Sequence, residues 1–107
     1  MEKITIDDFK KCEIRIGTVV EAIALEDSNK LLKLTVDFGS EKRFILAGIA
    51  KFYTPEQIVN KQCPFVFNLE PKMLGVHESQ GMILCADSGA PILLHPDKQV
   101  APGSLVK

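Results

Sequence analysis

The side chains of this sequence with intrinsic reactivity are three thiols, Cys12, Cys63 and Cys85, and two imidazoles, His77 and His95. A structural zinc site draws its ligands from closely spaced Cys and His pairs, and no such pair occurs here. A thiol nucleophile needs an imidazole partner and a lowered pKa. Cys63 and Cys85 instead sit in the apolar runs CPFVFNL and GMILCA, where inert burial is the expectation. The cysteines are odd in number and widely spaced, so no disulfide framework is suggested. The expected setting is cytoplasmic, with three reduced, mostly buried thiols. The turn DFGSEKR lacks the glycine spacing of a phosphate-cradling loop. The sequence is therefore expected to hold no catalytic residue, no metal and no cofactor.

Binding is a better match to the residues than catalysis. Residues 68–84, NLEPKMLGVHESQGMIL, leave an apolar strand and pass Pro71, the lone Lys72, Gly75 and Gly81 before re-entering an apolar run at Met82. Ser79, Gln80, Gly81 and Met82 stand together where an ordinary loop needs only polarity. The net charge of −1 excludes a generic polyanion binder, but the charge is unevenly spread. Residues 42–73 carry Lys42, Arg43, Lys51, Lys61 and Lys72 against Glu56 and Glu70, while the first 41 residues are acidic in balance. That pattern is either a mixed solvated surface or a local basic face able to hold a shaped nucleic acid weakly.

The elements that position these residues read mainly as strands. A chain of 107 residues makes one domain, and 46% apolar with 25% charged residues is globular rather than disordered. No run approaches the ~20 apolar residues that span a bilayer, so no membrane partner is expected. A first strand runs from Ile14 to about Leu25, with Gly17 as a bend or bulge. EDSNK turns the chain into LLKLTVDF, where Leu32, Leu34, Val36 and Phe38 share a face opposite Lys33, Thr35 and Asp37. Gly39-Ser40 leads into a third strand, KRFILAG. Thr54, Pro55 and Gln57 cap a short helix. CPFVFNL is a fourth strand, with Pro64 at an early or edge position. GMILCA is a fifth, and ILLHPD adds a short one in the tail.

Three strands, a helix and two more strands is the order of a five-stranded OB-fold barrel; an SH3-like barrel or a β-sandwich has a similar strand count, and the helix position decides for the OB fold. The predicted class is all-β with one short helix and a C-terminal β extension, the barrel covering about residues 10–86 and the extension about 87–107. The apolar tail APILLHPDKQVAPGSLV predicts a two-fold homodimer that hides Leu93, Leu94, Leu105 and Val106.

Six segments in order, DDFKKCEIRIGTVVEA, NKLLKLTVDFG, RFILAGIAKFYTPEQIVNK, FVFNLEPKMLG, SQGMILCA and ILLHPDKQVAPGSLVK, resemble the tRNA-binding domain found at the C-terminus of methionyl-tRNA synthetases or as a free-standing tRNA-binding protein. The resemblance implies a non-catalytic OB-fold homodimer that grips the outer corner of tRNA, either in a methionine–tRNA ligase or beside its catalytic domain. It implies tRNA contacts from Lys30, Asn68, Lys72, Ser79 and Met82, with Arg15, Lys33, Arg43 and Gln80 as secondary candidates. Lysines would neutralise phosphates, Asn68 and Ser79 would bond phosphate or 2′-OH oxygens, and Met82 would pack on a base or ribose. Each also has a structural reading: Met82 as a core side chain, Asn68 as a turn cap, Arg15 paired with a carboxylate such as Asp37. Glu70 and Gln80 depart from the family pattern: Glu70 opposes phosphate, and Gln80, in place of a common Glu, removes a charge that would repel RNA. Secretion-associated, chaperone-like relatives share the barrel, so peptide binding is the alternative function.

Overall fold

The computed structural model describes every residue from Met1 to Lys107. A short helix, α1 (Ile6–Lys10), opens the chain; the Thr5 hydroxyl caps it by accepting the N–H of Asp8 at 3.0 Å. The strand-based reading contains no such helix, because five exposed residues leave no apolar periodicity to detect. Then follow β1 (Ile14–Ala24), β2 (Leu32–Asp37), β3 (Lys42–Ala47), α2 (Pro55–Ile58) and β4 (Gln62–Val66). The remainder is built of short strands: β5 (Lys72–Leu74), β6 (His77–Ser79), β7 (Met82–Ile83), β8 (Cys85–Asp87), β9 (Pro91–Leu93) and β10 (Leu105–Val106). Neither helix is long enough to cross a membrane.

The main sheet has the order β3-β2-β1-β4-β7, with β10 also on β1. Its curvature comes from β1, which changes partner along its length. Ile14–Thr18 pair antiparallel with β4, and Thr18–Ala24 pair with β2. Between the two halves a register shift falls at Val19/Glu21, the extra residue that lets a long strand bend round a core. The bulge is therefore at Val20 and not at Gly17. Gly17 has a different reason to be glycine: a Cβ there would lie 2.3 Å from Val36 Cγ1 and 2.8 Å from Phe38 Cε1. The β10 strand fills the stretch of β1 edge that β2 does not reach, opposite Ile14 and Arg15.

Strand β4 is interior and Pro64 is the third of its five residues, which corrects the early or edge position expected for it. Proline is tolerated because Ile16, its partner, turns both backbone groups away to Gly103 and Ser104. The missing donor thus faces the side where β7 ends, and the Pro64 carbonyl accepts the N–H of Leu84 at 3.0 Å. Leu84 also divides the expected fifth strand: β7 stays in the main sheet, while β8 pairs with β9.

The predicted faces meet in one core. Leu32, Leu34, Val36 and Phe38 are buried with Val19, Ile45, Cys63 and Phe65, and Ile58 of α2 plugs one end. Helix α2 starts where the sequence placed it, with the Gln57 side chain accepting the Thr54 N–H at 2.8 Å. Tyr53 packs against the core and its hydroxyl accepts the N–H of Leu93 at 3.2 Å, whereas Phe52 stays half exposed. Cys12 is exposed, contrary to the expectation of burial for most thiols.

Candidate nucleic-acid interface

Residues 72–79 are not a plain loop. They form the β5–β6 hairpin, with Lys72 opposite Ser79, Met73 opposite Glu78 and Leu74 opposite His77. Gly75, at φ +65°, takes the first of two turn positions, where a tight hairpin of the II′ kind demands glycine. Between this hairpin, the end of β4 and the outer side of β3 lies an open groove lined by Leu46, Asn68, Leu69, Glu70, Lys72, Leu74, Ser79, Gly81 and Met82. Four of the five principal candidates, Asn68, Lys72, Ser79 and Met82, are thereby brought together. Lys30 is not among them; it stands exposed on the turn between β1 and β2.

The four contribute in different ways. Lys72 is exposed and forms no ion pair, so its ammonium is free to meet a phosphate, with Glu70 as the opposing charge in the same groove. Met82 is 47% exposed and belongs to the groove wall rather than to the core. Asn68 uses both ends of its amide inside the fold: Oδ1 accepts the N–H of Glu13 at 2.8 Å and Nδ2 donates to the carbonyl of Lys11 at 2.7 Å. Ser79 is buried, accepts the N–H of Leu46 at 3.0 Å and donates to the carbonyl of Gly81 at 3.0 Å.

Ser79 has this role because β3 lacks a full strand on its second side. Its backbone groups are satisfied by Gln80 through both side chain and backbone: the side-chain Oε1 accepts the N–H of Phe44 at 2.8 Å, and the Gln80 backbone N–H donates to the Phe44 carbonyl at 2.9 Å. Ser79 and Gln80 thus close the barrel between β3 and the hairpin, as a β-ladder would. Ser79→Ala leaves the Leu46 N–H without its partner, and a chemical melt should register a loss of about 1–2 kcal/mol. Met82→Ala, on the groove wall, should cost under ~1 kcal/mol in the same measurement.

The secondary candidates divide by strand face. Antiparallel partners share a face, so Lys33 with Leu46, Thr35 with Phe44 and Asp37 with Lys42 form the outer face of β2–β3. There the Lys33 ammonium lies 4.6 Å from the centre of the half-exposed Phe44 ring. Phe44 is absent from the sequence-based set. An exposed aromatic beside lysines on the outer row of a strand has the chemistry of a stacking platform, and the alternation in KRFILAG is the signal that could have found it. Arg43 falls on the inner row, opposite Val36. Its guanidinium lies 3.5 Å from the Phe67 ring centre, donates to the carbonyls of Phe67 and Gln80, and pairs with Glu41 at 2.9 Å. The Arg15 guanidinium lies 5.5 Å from the same ring centre, donates to the Gly103 carbonyl at 2.7 Å and pairs with Glu13, not with Asp37. Both arginines seal the barrel end. Arg43 and Gln80 line a hollow adjoining the groove.

Geometry keeps His95 from activating Cys63. His95 Nδ1 is 3.7 Å from Cys63 Sγ but only 2.7 Å from the Gln62 carbonyl. A nitrogen donating to a carbonyl carries a proton and has no lone pair with which to activate the thiol. Burial, reinforced by the neighbouring Cys85, pushes the Cys63 thiol up to about 12. Burial also raises Cys85. At pH 8 a thiol reagent should label exposed Cys12 rapidly and Cys63 only after unfolding; rapid labelling of Cys63, read by peptide mass mapping, would contradict this burial.

Five strands curled round one core, with a short helix between the third and fourth and a hairpin closing the open side, define an oligonucleotide-binding barrel. Residues 14–105 match the family described as "Putative tRNA binding domain". The chain belongs to this tRNA-binding domain family, a binding domain and not a catalytic one. It is 54% identical over 102 residues to methionine–tRNA ligase of Methanothrix thermoacetophila, covering 94% of the chain and 15% of that protein. Against the Parabacteroides distasonis methionine–tRNA ligase it is 46% identical over 108 residues, covering 99% of the chain and 16% of the ligase. The chain therefore spans about a sixth of the length of these relatives. Among solved structures, the MetRS-related protein of Pyrococcus horikoshii superposes with a TM-score of 0.93 at 38% identity, over 100% of both chains. The chaperone CsaA of Bacillus anthracis superposes with 0.90 at 27% identity, over 99% of this chain and 100% of that one.

Proposed function

We propose that this chain binds folded tRNA through the groove beneath the β5–β6 hairpin and the adjoining outer face of β2–β3. It would act as the tRNA-binding module of a methionyl-tRNA synthetase, or as a free-standing partner of one, raising its hold on tRNA in the cytoplasm. The observation that carries this reading is the convergence of unpaired Lys72, apolar Met82 and the Lys33–Phe44 stack on one side of the barrel. Lysines there would meet phosphates, while Phe44 and Met82 would take a base or ribose face. The net charge is −1 and the groove itself holds one lysine, Lys72, so contacts to one folded backbone would be few and the salt dependence shallow.

A second copy would double the number of contacts along one tRNA. Leu94, Leu105 and Val106 remain exposed and offer a surface for it, whereas Leu93 already packs against the core. Several folded tRNAs of different acceptor type should bind with similar affinity, and minihelices clearly less well. Light scattering should return a dimer mass. The likeness to a chaperone supports the competing reading of peptide binding on the same barrel. A protein that suppresses aggregation of an unfolded client but leaves tRNA unretarded at low salt would sink the tRNA proposal.

A further inference from the structure

The hairpin that carries Lys72 is weakly built. It has three residue pairs in a sheet of its own, and Met73 and Val76 are open to solvent. A two-stranded ribbon of this size is marginal in water and needs ties to the rest of the fold. Its base is tied through Ser79 and Gln80 to β3. Beyond the turn there is a second tie. His77 Nε2 lies 3.2 Å from both carboxylate oxygens of Asp27, fifty residues away in sequence. Asp27 sits on the β1–β2 turn that also carries Lys30, the one principal candidate outside the groove.

We propose that the His77–Asp27 pair is a strap that joins the β5–β6 hairpin to the β1–β2 turn, positioning Lys72 and Lys30 together along one tRNA backbone. His77 and Asp27 are positioning residues here, not phosphate contacts. This deepens the tRNA reading and rests on it. The physical argument is one of populations: an untied hairpin spends part of its time splayed, and apparent affinity falls with the fraction in the competent arrangement. The His77 side chain is 25% exposed and that of Asp27 55%, so solvent screens the pair and the effect is modest.

Charge and strap predict opposite signs, which makes the test decisive. Removing the Asp27 carboxylate takes a negative charge from a tRNA-facing turn, so electrostatics alone predicts tighter binding; loss of the strap predicts weaker binding. Wild type, Asp27→Ala, His77→Ala, His77→Lys and the Asp27→Ala/His77→Lys double variant are compared by amide hydrogen exchange over residues 72–79 and by affinity for a folded tRNA transcript. The expected result is faster hairpin exchange and about threefold weaker binding in both alanine variants, as a screened pair allows. His77→Lys should restore both readouts when Asp27 is present, and should fail to slow exchange when it is absent. Melting temperatures report any general loss of fold. Asp27→Ala binding as tightly as wild type or more so, or unchanged hairpin exchange in His77→Ala, would overturn the strap. Wild type that binds no tRNA would overturn the functional reading instead, and hairpin exchange would then decide the strap by itself.

Discussion

Lys72→Glu should weaken tRNA binding about tenfold at low salt, against about threefold for Lys72→Ala, because reversal adds repulsion to the lost attraction. Folding stability should stay within ~0.5 kcal/mol, since the ammonium is exposed and forms no ion pair. Glu70→Lys in the same groove should move affinity the other way. Raising the salt should shrink all three differences together, because exposed charges lose each other beyond ~10 Å at 0.1 M. Titrations of labelled tRNA at two ionic strengths, with a melt of each variant, make the measurement. Wild-type affinity in Lys72→Glu would remove the groove from the tRNA surface.

Arg43→Ala should do the reverse, lowering stability while leaving tRNA affinity nearly untouched. The guanidinium covers the Phe67 face, satisfies the carbonyls of Phe67 and Gln80, and is only 19% exposed. Charged hydrogen bonds and a desolvated cation–π contact of this kind are together worth about 2–3 kcal/mol. At ~4–8 °C per kcal/mol for a domain near this size, the melting temperature should fall by roughly 10–20 °C. Lys42→Ala, on the exposed end of the same strand, serves as the control and should barely move it. Should Arg43→Ala melt like wild type and lose tRNA, Arg43 would belong to the interface and not to the barrel seal.

The contrast between Lys72 and Arg43 marks how far sequence reasoning reached. Both are cations in the basic stretch of residues 42–73, and nothing in residue type separates them. Strand parity and pairing do: Arg43 falls opposite Val36 on the inner row, while Lys72 lies on a hairpin of its own. The same holds for Ser79 and Gln80. As polar residues beside Met82 they read as tRNA contacts, but β3 lacks a second neighbour, and a strand's N–H groups must be satisfied by whatever lies beside them. Asn68, also a candidate contact, ties Glu13 and Lys11 down across more than fifty residues of chain.

By itself the sequence determined what depends on local order. The period-two row Leu32, Leu34, Val36 and Phe38 fixed one wall of the core, and Thr54-Pro55 with Gln57 fixed where α2 starts. The helix between the third and fourth strands gave the barrel, and six ordered segments gave the family that residues 14–105 match. Tertiary structure alone decided what depends on which distant groups share a space. It set the bulge at Val20, the tolerance of Pro64 inside the sheet and the return of β10 to the first strand. It also placed Asp27 against His77 and separated free cations from structural ones. A side chain's type follows from the chain, but whether its hydrogen-bonding groups are already used is settled only when the strands have found their neighbours.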